Sequence, residues 1–140
     1  MKLLIAGSRS IPEDCNVLYR IKWIETPTEI VCGCARGADT VGELFALRNH
    51  IRVKYFPAEW NKYGKAAGHI RNNEMGLHCD KAVIILDADK MDKSTGTWNM
   101  MKTLEGYFKP YLLIIYDIKH DTHDQRYYAL KVRLEIIWLT

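Results

Sequence analysis

The chain has 140 residues, 48% of them hydrophobic and 26% charged, with a formal net charge of +3. That length fits one domain with a core that needs neither disulfides nor metals. The mild positive charge falls short of the clustered basic surface of a duplex-binding protein and suits a small anionic ligand as well as it suits nucleic acid, and no apolar run approaches a membrane span.

KLLIAG, residues 2–7, reads as a buried strand turned by glycine. The apolar residues Val17, Leu18, Ile21 and Ile24 fall at helical spacing after Pro12, which predicts a helix over residues 13–25. EIVCG, residues 29–33, is a second buried strand, and Val41, Leu44 and Phe45 mark a helix over residues 38–50. IRVKYFP, residues 51–57, is a third strand ended by proline. Residues 66–79 form a helix despite Gly68 and Gly76, and KAVIILDA, residues 81–88, is a fourth strand. A helix opening on Thr95-Gly96 covers residues 95–108, and PYLLIIYDI, residues 110–118, is a fifth strand. Short apolar strands alternating with helices imply a parallel sheet covered on both faces. The expected fold is therefore α/β, a Rossmann-like three-layer sandwich around a five-stranded, mostly parallel sheet.

Residues 1–118 make that domain, and residues 119–140 form an extension packed on it or on a second subunit. KHDTHDQR, residues 119–126, reads as an exposed turn. Beyond it Leu130, Val132, Leu134 and Ile136 alternate with Lys131, Arg133 and Glu135. Period two favours an added edge strand, although these residue types also suit a helix. An open edge of this kind predicts a homo-oligomer. MKLLIAG is too short for the apolar core of a signal peptide. Cys15, Cys32, Cys34 and Cys79 lack zinc-site spacing and read as reduced, mostly buried thiols of a cytoplasmic protein. No cofactor, metal or membrane partner is expected.

In an open parallel sheet, ligands bind beyond the carboxyl ends of the strands, so the loops there carry the chemistry. After the first strand, Gly7, Ser8 and Arg9 offer a close turn, a hydroxyl and a charge. After the second, Gly33 and Gly37 permit close backbone approach beside a helix start. There Arg36 can clamp phosphate, and Asp39 can cap the helix, hold Arg36 or accept from a ribose. After the third come Trp60 and Tyr63, able to stack on a base, then Arg71 and Asn72. After the fourth, Ser94, Thr95, Gly96 and Thr97 open a helix as a second phosphate cradle. The competing reading of each loop is an ordinary capped turn. Asp87 and Asp89 read as solvated loop residues. No nucleophile-base pair, metal-ligand cluster or GxGxxG fingerprint is visible.

Together IAGSRS, CxARGAD, PAxWxxYGKAAGxIRNxEM and SxGT, in this order between Lys2 and Ile115, resemble the YspA-like branch of the SLOG superfamily. That superfamily includes the lonely-guy phosphoribohydrolases. The resemblance implies a Rossmann-like fold that binds nucleotides or nucleotide-derived molecules at the loop end of the sheet. Enzymatic relatives carry RxxxM, matched here by Arg71 and Met75, and GGxGTxxE, of which Gly96-Thr97 remain. Met100 stands where the second pattern has its glutamate. Methionine can neither carry a proton nor stabilise a cation by charge, which argues against the same hydrolysis. The expected function is binding of a nucleotide-derived molecule such as a cyclic nucleotide or ADP-ribose derivative. The alternative is a phosphoribohydrolase with a relocated acid, and a third reading is a nucleic-acid or protein adaptor using Arg126, Lys131 and Arg133.

Overall fold

The computed structural model of the protein describes residues 1–23 and 25–128. Its strands are β1 (Lys2–Gly7), β2 (Glu29–Cys32), β3 (Arg52–Tyr55), β4 (Lys81–Asp87), β5 (Tyr111–Asp117) and β6 (Thr122–Tyr128). They form one mixed α/β sheet in the order β3-β2-β1-β4-β5-β6. The first five are mutually parallel, and β6 runs antiparallel to β5. The sheet thus has six strands rather than the five expected from the main domain.

Alternation along each strand sends successive side chains to opposite faces. Leu3, Ile5, Val83 and Ile85 bury themselves on one face against Ala38, Val41 and Phe45 of α1 (Ala38–Arg48). Leu4, Ala6, Ile84 and Leu86 bury themselves on the other, against Met75 of α3 (Ala67–His78) and Met100 and Leu104 of α4 (Thr95–Gly106). A core drawn from both faces explains why β1 and β4 are near-continuous apolar runs. Each fully buried Leu or Ile contributes about 1.5–3 kcal/mol by leaving water. β3 lies at the sheet edge, and Arg52, Lys54 and Tyr55 on it are exposed.

Three expectations need correction. The helix predicted over residues 13–25 is, over residues 13–23, a loop with a single 3-10 turn, Val17–Arg20, and Ile24 lies outside the described residues. Its apolar residues still reach the core, since Val17, Leu18 and Ile21 are buried. Trp23 Nε1 donates to Leu18 O at 3.1 Å and folds the segment back on itself. Spacing alone was a poor guide here because Asn16, Val17, Tyr19, Ile21 and Trp23 are middling helix formers.

Residues 119–126, expected as an exposed turn, turn only at their start and then enter β6. Backbone pairing with β5, from Asp117↔Thr122 to Tyr111↔Tyr128, needs no apolar side chain. The turn is fastened by Asp121, which accepts from Tyr116 Oη at 2.5 Å and from Arg20 Nη2 at 2.6 Å. The alternating residues 130–136 lie outside the described residues.

Finally, Trp60 and Tyr63 sit on a short helix, α2 (Trp60–Tyr63), rather than in open loop. Among the described residues, no helix is long and apolar enough to cross a membrane.

Candidate functional site

The strand order reverses between β1 and β4: the chain moves outward from β1 to β2 and β3, then returns to β4 on the opposite side. Loops diverge at such a switch point and leave a crevice beyond the strand ends. Here the crevice has a volume of about 720 Å³. A smaller lobe of about 370 Å³ adjoins it and shares Arg9, Ala35, Arg36, Trp60 and Arg71 with it.

The floor is set by Gly7. Its φ is +154°, and a Cβ there would stand 1.9 Å from Ile85 O. The bare backbone lets Ser8 N donate to Ile85 O at 2.9 Å. Ser94 Oγ donates to Lys90 O at 2.9 Å, so it accepts from Ser8 Oγ at 2.9 Å. Ser8 Oγ in turn accepts from Asp87 N at 2.9 Å. The Ser8 hydroxyl, expected to bind a ligand, is thus spent on joining the loops after β1 and β4. Asp87 is also not the solvated residue expected. It is buried and accepts from Ser10 Oγ and from Asp89 N, which shapes the turn after β4.

Across the cleft, Gly33 leaves room for two charged groups: a Cβ there would lie 2.8 Å from Asp39 Oδ2 and 3.1 Å from Arg71 Nη1. Arg71 Nη1 donates to Gly33 O, and Arg71 Nε donates to Asn72 Oδ1 at 3.1 Å. Asn72 Nδ2 donates to Asn99 Oδ1 at 2.9 Å and to Gly96 O at 3.4 Å. These bonds fix the arginine plane and tie α3 to α4. Asp39 is 6% exposed and its Oδ2 accepts from Ala35 N at 3.1 Å. Burial raises its carboxyl above the ordinary value, against the opposing pull of Ala35 N–H, Arg71 and Arg9.

The remaining charges are open. Arg9 and Arg36 are exposed on the cleft wall, with no ion-pair partner among the described residues. Lys65 and Lys90 line the larger lobe in the same state. Five basic side chains (Arg9, Arg36, Lys65, Arg71, Lys90) therefore face one carboxylate, Asp39, around that lobe. α1, α3 and α4 all begin at this end of the sheet, and none has a side-chain N-cap hydrogen bond. Ser94 does not cap α4: its hydroxyl donates to Lys90 O and accepts from Ser8 Oγ. The first-turn N–H groups of α4, including those of Gly96 and Thr97, are left for whatever enters the cleft.

The chain matches no protein-family model, no curated protein and no solved structure.

Eleven of the thirteen residues expected at the site do line the two lobes: Gly7, Ser8, Arg9, Gly33, Arg36, Asp39, Trp60, Arg71, Asn72, Gly96 and Thr97. The other two lie off them. Gly37 packs behind the loop, where a Cβ would meet Ser8 O at 2.4 Å. Tyr63 lines neither lobe, and Lys62 Nζ lies 5.0 Å from its ring centre. Lys65, Lys90 and Asn99 were missed. Lys65 follows Gly64 in a glycine-rich loop, which was a usable signal, whereas a single asparagine inside a helix carries none. The thiols are mostly buried, as expected: Cys15, Cys32 and Cys79 are buried, and Cys34 is exposed on the smaller lobe. Burial pushes the Cys32 thiol up to about 12 and the Cys79 thiol up to about 11, which makes both inert at neutral pH.

Proposed function

We propose that this cleft binds a nucleotide or nucleotide-derived small molecule, which the protein senses or sequesters. The observation that carries the reading is the charge balance: five basic side chains and the uncapped start of α4 surround a cavity with one buried carboxylate. An anion entering there gains N–H donors that are already oriented and cations that are already unpaired. Trp60, half exposed at the cleft rim, offers an aromatic face to a base. A Rossmann-like sandwich of the SLOG, YspA-like kind belongs to the same reading. The reversal of strand order beside β1, the helices on both faces and the motif residues gathered at the cleft support it.

Calorimetry against nucleoside monophosphates, cyclic nucleotides, cyclic dinucleotides and ADP-ribose tests the proposal. Micromolar binding that weakens at least tenfold in Arg36→Ala is expected. A folded sample that takes up none of them rejects it.

The alternative, an N-glycosidic hydrolase, draws on one feature. Asp39 is a carboxyl in the cleft whose pKa is raised by burial, a property of general acids. Against it, Met100 is 1% exposed at the cleft wall and brings no carboxylate. Incubation with nucleoside monophosphates separates the two readings: release of free base that is abolished in Asp39→Asn favours the hydrolase.

A further inference from the structure

The two lobes differ in what they present beyond their shared residues. The smaller adds Gly33, Cys34, Pro57 and Ala58, which are uncharged and small. Its volume of about 370 Å³ is that of a pocket for one compact organic group. Trp60 borders it and supplies a flat apolar wall. The larger lobe adds Lys65, His69, Lys90 and the first turn of α4. Between them Arg9, Arg36 and Arg71 form a cationic waist.

Thr97, at the start of α4, adds a hydroxyl to the larger lobe that can donate to an anion. No fully buried side-chain polar atom lacks a hydrogen-bond partner among the described residues. Thr97 is 6% exposed, lines that lobe and has no side-chain hydrogen-bond partner among the described residues, so its hydroxyl is not fully buried. Positive charge thus runs from the waist along the larger lobe to the start of α4, a spread that one phosphate cannot cover. A cyclic monophosphate carries a single negative charge and would leave most of these cations unpaired.

We infer that the ligand is a nucleoside polyphosphate, with its base in the smaller lobe and its phosphates extending from the arginine waist toward Thr97. The inference rests on the nucleotide reading above and narrows it to one class. Lys65 and Lys90 then set the preference for phosphate number, and Trp60 holds the base.

The test is calorimetry with EDTA present, using adenosine, guanosine, cytidine and uridine as 5′-mono-, di- and triphosphates, their cyclic monophosphates, and inorganic tripolyphosphate. The best nucleoside is expected to bind at least about tenfold tighter as its triphosphate than as its monophosphate, given multiple charge-assisted contacts. Its cyclic form is expected to bind weakest, and tripolyphosphate more weakly than the triphosphate. Lys65→Ala combined with Lys90→Ala should lower triphosphate affinity more than monophosphate affinity and so shrink the gain from added phosphates. Trp60→Ala should weaken every nucleotide and leave tripolyphosphate unchanged. Equal affinity for mono- and triphosphate overturns the inference and spares the nucleotide reading. Tripolyphosphate binding as tightly as the triphosphate overturns the placement of the base. Failure of every nucleotide to bind a folded sample removes both.

Discussion

Asn72 Nδ2 lies 2.9 Å from Asn99 Oδ1, and this bond joins the helix that carries Arg71 to the helix that opens on Gly96 and Thr97. Asn72 is buried, and its Oδ1 is already taken by Arg71 Nε, so its amide orientation is fixed by its partners. Asn99→Ala removes one acceptor and leaves a buried amide donor underused. The expected cost is about 1–2 kcal/mol in urea unfolding. Phosphate-dependent binding should fall with it, because Asn72, which holds Arg71 Nε, loses one of its own anchors. Unchanged stability and unchanged binding together would show that the pair is incidental.

Two glycines of the cleft predict opposite outcomes. Gly7→Ala drives a Cβ to within 1.9 Å of Ile85 O at a φ of +154°, so β1 or β4 must shift. A loss of more than about 3 kcal/mol or failure to fold is expected, well beyond the ordinary cost of a point substitution. At Gly96 a Cβ meets nothing within 4 Å. Gly96→Ala should leave stability unchanged or raise it by up to about 1 kcal/mol through helix propensity. Thermal melts of the two variants check the contrast.

Asp39 and Asp121 should act on stability in opposite directions as pH changes. The folded pKa of Asp39 is raised, chiefly by burial, so the folded state holds its proton more tightly than the unfolded chain. Its contribution is full below the ordinary carboxylate value and is lost as pH rises through the folded pKa. Asp39→Asn should therefore stabilise the protein at neutral pH and flatten that part of the profile. Asp121 is lowered, first by the Tyr116 hydroxyl and then by Arg20. Its contribution is present above the ordinary value and fades as pH falls through the folded pKa. Asp121→Asn should remove part of the acid-side loss. Urea midpoints measured across the acid range decide both signs.

Met100→Glu places a carboxylate where the GGxGTxxE pattern of the lonely-guy phosphoribohydrolases, which this sequence resembles in part, has its glutamate. Met100 is 1% exposed among the apolar residues on the α3–α4 side of the sheet. A carboxylate there lacks a built partner, so a loss of several kcal/mol at neutral pH is expected, partly recovered at low pH as the group protonates. A variant as stable as the parent would mean that the cleft already solvates a charge at that depth.

Much of the fold was legible because burial on both faces leaves a plain mark. KLLIAG and KAVIILD are continuous apolar runs, and they became β1 and β4 with bounds within a residue of those expected. α1 was legible from the spacing of Val41, Leu44 and Phe45 and α4 from its Thr95-Gly96 start, and α3 was expected despite Gly68 and Gly76. Residues 13–25 were misread because a loop can bury Val17, Leu18 and Ile21 as well as a helix can. β6 was hidden because an edge strand is held by its backbone, which the side chains of THDQ do not announce.

At the cleft, the sequence by itself determined which residue types stand after each strand: glycines for close approach, arginines for charge and a tryptophan beside them. That follows from the parallel sheet, which brings every such loop to one end whatever the packing. Only the tertiary structure decided which of these groups remain open. Ser8 and Asn72 spend their polar groups on holding loops and helices together, while Arg9 and Arg36 keep theirs. The reason is that hydrogen-bond partners such as Ser94 and Asn99 lie far along the chain, and only folding to a given register brings them within reach.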